Sequence, residues 1–116
     1  MPFQASELAF RAIRALPEVF QQLRGKDSEL SAQLRTAAWS MVLNLEEGTW
    51  KAGRDRINRY RIAAGSAAEV RAGLRLATEW GYVEVGLVRE ALTNLEQVLA
   101  ILWTIVEERS SGKEKE

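Results

Sequence analysis

The chain contains no cysteine and no histidine. The first absence excludes disulfides and thiolate nucleophiles, the second excludes histidine general bases, and together they remove most zinc and copper sites. Proline is nearly absent too, with only Pro2 and Pro17, so long helices can run between breakers. There is no excess charge of either sign: the formal net charge is +0. Any attraction to nucleic acid or to a membrane surface therefore has to be local. The longest apolar run, Val98 to Trp103, is far below the ~20 residues that cross a bilayer. The start, MPFQASELAF, lacks the basic and apolar regions of a signal peptide. A cytoplasmic protein with no membrane partner is expected.

What is present is helical periodicity. With 116 residues, 47% of them hydrophobic, the chain is large enough for one core. One domain is expected over residues 1–109, followed by a small, polar, disordered tail over 110–116. The fold class read from the pattern is all-α, with four long helical stretches. The first helix is expected to start near Ser6, as a cap, with a kink at Pro17 or a break followed by a second piece to Arg24. Asp27 and Ser28 are N-cap candidates for helix two, which ends at Gly48 read as a C′ residue. Helix three should run from about Arg54 to Trp80, with Gly81 as its stop and a seam of Tyr60, Ala63, Ala67, Val70, Leu74 and Ala77. Helix four, from about Glu84 to Arg109, carries one seam through Val88, Leu95 and Leu102. A second apolar row runs through Leu87, Ala91, Val98, Ile101 and Ile105. That second row is wider than a monomeric bundle corner needs, so it suggests subunit contact.

Three groups of residues are candidates for function. Gln33, Thr36, Ser40, Asn44 and Glu47 form one polar stripe on helix two. It is either a plain solvent face or a structural polar network completed by Ser66 and Glu69 on helix three. Lys51, Arg54, Arg56, Arg59, Arg61 and Arg75 make a basic arc, with Trp50 and Tyr60 nearby, that could bind nucleic acid. Overall neutrality favours instead surface ion pairs with acids such as Glu46, Glu84 and Glu90. Of the four tryptophans, Trp39 lies off the helix-two seam, and Trp39 and Trp103 are candidates for a subunit interface. Glu47 and Glu69 do not make a di-iron site, because that chemistry needs Glu-x-x-His pairs. No catalytic, cofactor or metal site is read, and the protein is expected not to be an enzyme.

QLRTAAWSMVLNLEEG followed by RYRIAAGSAAEVRAGLRLA resembles the proteins encoded by intervening sequences in bacterial large-subunit ribosomal RNA genes. The same family includes the accessory variability determinant of diversity-generating retroelements. The likeness is carried by Gln33, Arg35, Ala37, Ser40, Asn44, Glu47 and Gly48, then by Ile62, Ala63, Gly65, Ser66 and Glu69. It implies an up-and-down antiparallel four-helix bundle assembled as a homopentameric barrel, with no known enzymatic activity. For the retroelement members it implies a strongly basic pentamer that binds a reverse transcriptase and RNA. Where the family pattern has arginine this chain has Thr36 and Ala64, and it has Glu46 where alanine is usual, which makes it less basic. A non-enzymatic oligomeric scaffold or adaptor is the expected role. The alternative is a nucleic-acid-binding accessory protein serving an RNA-linked enzyme.

Overall fold

A computed structural model describes residues 2–115, with side chains described from Gln4 to Glu108. Five helical segments follow in order: α1 (Pro2–Ile13), α2 (Leu16–Leu23), α3 (Ser28–Trp50), α4 (Gly53–Glu79) and α5 (Val85–Lys115). α1 and α2 form one broken column, so the molecule is a bundle of four columns with extents of 52 × 21 × 19 Å. α3 packs on α4, α4 on α5, α5 on α1 and α1 on α3, which closes the ring of neighbours.

The break in the first column lies at Arg14 and Ala15, and Pro17 sits in the first turn of α2. There its missing N–H costs nothing, because first-turn amides have no partner within the helix. Ser6 is not a cap. α1 begins at Pro2, and Ser6 lies buried in the helix interior, its Oγ without a hydrogen-bond partner among the described residues.

Asp27 does cap α3, its Oδ1 accepting from the Leu30 amide at 2.9 Å. At the far end, α3 runs past the expected stop at Gly48 and ends at Trp50. Gly48 is an interior helical glycine, and its cause is steric: a Cβ there would collide with the Tyr60 ring, 2.8 Å from Cδ1.

Gly81 ends α4 as expected, at φ +75°, with its amide bonded to Thr78 O and the Tyr82 amide to Ala77 O. That is the paired closure of a Schellman turn, which a left-handed glycine permits. Lys26 Nζ donates to Tyr82 O at 3.1 Å, joining the α2–α3 loop to this turn. α5 continues through Lys115, past the end expected at Arg109, so the tail begins as helix.

The α4 seam of Tyr60, Ala63, Ala67, Val70, Leu74 and Ala77 is fully buried. Its counterparts on α5 are Val88, Leu95, Leu102 and Val106. The second α5 row differs from its expectation. Ala91 and Val98 are buried, and Leu87, Ile101 and Ile105 pack against the core of the same chain. With α1 packed against α5 as well as α4, that helix has two neighbours to cover, so a wide apolar arc is satisfied within one subunit. Among the described residues, no helix is long and apolar enough to cross a membrane.

Candidate functional site on the α3–α4 hairpin

α3 and α4 run antiparallel, and their cross-contacts show the register: Ser40 meets Ser66, Glu47 meets Arg59, and Leu34 lies over Gly73. The spacing of the α3 stripe places Thr36, Ser40, Asn44 and Glu47 along one edge of this seam. Ser66 Oγ donates to Ser40 Oγ at 2.6 Å, and Asn44 Nδ2 donates to Ser40 O at 2.8 Å and to Ser40 Oγ at 3.2 Å. Arg59 Nη1 donates to Asn44 Oδ1 at 3.1 Å, and its Nη2 lies 3.2 Å from Glu47 Oε2. The network therefore grades from buried Ser66, through half-buried Ser40 and Asn44, to an ion pair whose side chains are 40% and 51% exposed. The hydroxyl end satisfies buried polar atoms, while the Arg59–Glu47 end is solvated and weak.

Of the six residues expected in the network, Ser40, Asn44, Glu47 and Ser66 are brought together. Gln33 and Glu69 are exposed and have no side-chain hydrogen bond among the described residues. Ile62, Leu76 and Trp80, in the same row of α4 as Glu69, are exposed as well, whereas Ser66 and Gly73 of that row meet α3. Arg59 is the member that sequence reasoning placed elsewhere. Its position opposite Asn44 depends on the register of two helices, and no spacing within α4 reveals that.

The basic arc is split. Arg56 donates from Nε to Gly48 O at 3.1 Å and from Nη2 to Thr49 O at 3.3 Å, satisfying carbonyls at the C-terminus of α3. Arg59 belongs to the network, and Arg71 pairs with Glu96 at 3.2 Å. Lys51, Arg54, Arg61 and Arg75 are exposed and have no carboxylate partner among the described residues. The ion pairs expected with Glu46, Glu84 and Glu90 do not form among the described residues; Glu47 and Glu96 take that part.

An open groove of about 570 Å³ lies over the network, lined by Arg35, Trp39, Leu43 and Arg59 together with the polar edge of α3. The Arg35 guanidinium stands 4.4 Å from the centroid of the Phe20 ring, a cation–π contact that holds one end of the groove. Trp39 is 70% exposed, so helix two is not enclosed by the bundle at that point; Leu43 and Trp50 are also exposed on α3, and Trp103 is exposed on α5. No group of three or more acidic residues placed to hold a metal ion forms among the described residues.

The fold and this seam define the class: an all-α protein whose four helical columns pack as a bundle, with a graded polar network joining α3 to α4. The family model for the 23S rRNA-intervening sequence protein matches residues 3–104, and the chain belongs to that family. In three dimensions the chain is similar to a protein of unknown function of the S23 ribosomal protein family from Bacteroides thetaiotaomicron. The TM-score is 0.72 at 20% identity, covering 90% of this chain and 96% of the other. At that identity the likeness speaks to the fold. No curated protein matches the sequence.

Proposed function

We propose that this protein is a non-enzymatic, oligomeric four-helix-bundle scaffold or adaptor. The observation that carries the reading is the apolar surface of the α3–α4 hairpin. Trp39, Leu43, Ile62 and Leu76 are exposed there, and Trp50 and Trp80 stand at its two ends. Soluble monomers seldom display large apolar side chains in such concentration, and patches of this kind mark association surfaces. The polar network serves as a register device between α3 and α4, holding that surface in one shape. Five copies is the number the family resemblance implies. Size exclusion coupled to light scattering tests the reading: an assembly of several chains is the expected result, and a monomer at micromolar concentration overturns it.

A second reading is favoured by one corner of the molecule. Trp50 is 85% exposed at the α3–α4 turn, beside exposed Lys51 and Arg54. An indole flanked by cations is a platform on which an unpaired base can stack while its phosphates are neutralised. An RNA-linked partner, such as a reverse transcriptase, is the corresponding protein context. Binding to single-stranded RNA should then weaken with salt, and replacing both Lys51 and Arg54 by alanine should flatten that dependence. Absence of binding at low salt removes this reading.

A further inference from the structure

Three glycines lie inside the long helices α3 and α4, where each costs about 1 kcal/mol relative to alanine. Two have a reason within the chain. Gly48 makes room for the Tyr60 ring, and a Cβ on Gly73 would stand 2.6 Å from Leu34 Cδ2. Gly65 has none: among the described residues nothing lies within 4 Å of where its Cβ would be, the residue is exposed, and its φ is not in the left-handed region. Neither packing nor backbone geometry inside one subunit calls for glycine at this point. Close approach by another molecule does.

The surroundings of Gly65 say what kind of molecule. Arg61, Gly65, Ala68, Ala72 and Arg75 follow one another at spacings of four, three, four and three, so they form a single row, and all are exposed. The row is small in the middle and cationic at both ends, where Arg61 and Arg75 have no carboxylate partner among the described residues. The same chain carries a complementary row on α5. Glu90, Thr93, Gln97, Ala100, Thr104 and Glu107 are also spaced by threes and fours and are all exposed, with a carboxylate at each end. Between Glu90 and Glu108 there is no basic residue. At 1.5 Å per residue the charged ends are about 21 Å apart on α4 and about 26 Å apart on α5, a mismatch that arginine side chains can span.

We propose that the outer row of α4, with Gly65 at its centre, receives the outer row of α5 from a second copy of this chain. The proposal rests on the oligomeric reading above and adds which faces meet. Because the two rows belong to different helices, the contact is heterologous: each copy gives α5 to one neighbour and receives α5 on α4 from another. Complementary charge at both ends attracts the two rows and sets how far one slides along the other, and the small centre lets the backbones come close.

The experiment uses the full chain in light scattering and sedimentation, with three variants. Gly65→Leu should keep the helical circular dichroism and, at a dilution where the chain is monomeric, melt no lower than the wild type, since the position is open within the subunit and leucine favours helix, yet weaken association at least about tenfold by overfilling the contact. Reversing the basic row (Arg61→Glu with Arg75→Glu) should give a monomer, and so should reversing the acidic row (Glu90→Arg with Glu107→Arg). Mixed in equal amounts, those two variants should assemble, because an α4 row of either variant meets an oppositely charged α5 row of the other; around a ring of five, four of the five contacts are matched in this way. A monomeric wild type would remove both this pairing and the oligomeric reading. A wild-type assembly with unchanged mass in Gly65→Leu and in both reversals would remove the pairing alone, as would two reversed variants that stay monomeric when mixed.

Discussion

Toward α3, α4 presents Tyr60 and Gly73 against Gly48 and Leu34 with no room for one added methyl group, whereas on its outer side Gly65 stands in open space. The same residue type, on the same hairpin, answers to two different constraints. On the inner side the neighbour is known, and each glycine makes room for a side chain of the facing helix. On the outer side the helix keeps the same small profile with nothing from its own chain to fit. The contrast teaches that small residues in a helix are informative only once the occupant of the space above them is known.

The largest effect should come from filling the inner side. Gly48→Ala places a methyl group against the buried Tyr60 ring, and the strain should lower unfolding free energy by about 1–3 kcal/mol in urea titration. Next is the network that joins the same two helices. Asn44→Leu removes the acceptor of Arg59 and the donor to Ser40, and should cost about 1 kcal/mol, read as a lower urea midpoint. The outer side should respond with the opposite sign: Gly65→Ala, measured at a dilution where the chain is monomeric, should raise stability by up to about 1 kcal/mol through helix propensity alone. An equal loss at Gly65 and Gly48 would erase the distinction between the two sides. Smallest is Glu47→Gln, which removes the charge from a half-exposed ion pair and should change stability by no more than about 0.5 kcal/mol, less still in high salt.

Much of the fold was legible in the sequence. The α4 seam from Tyr60 to Ala77, the cap at Asp27 and the stop at Gly81 follow from spacing and from single-residue backbone preferences, which act within one segment. The candidate site was legible in part. The stripe from Ser40 to Glu47 is a matter of helical period, but Arg59 as its partner depends on how α4 is slid along α3. The α5 surface was misjudged for a related reason. Its second apolar row gave the width of the arc without the number of neighbours, and α5 packs against both α4 and α1 inside the same subunit.

By itself, then, the sequence determined that Asp27 caps one helix and Gly81 ends another, which residues share a face, and that neither thiol nor imidazole chemistry is available. Tertiary structure alone decided that Gly48 is a packing residue and not a helix end, that Arg59 closes a network, that Trp39 faces outward, and that a side chain begun at Gly65 would meet none of the described residues. The physical reason is range. Propensity and period are properties of a few consecutive residues, whereas steric fit and hydrogen-bond pairing depend on a second helix, whose rotation and register come from the packing of the whole core.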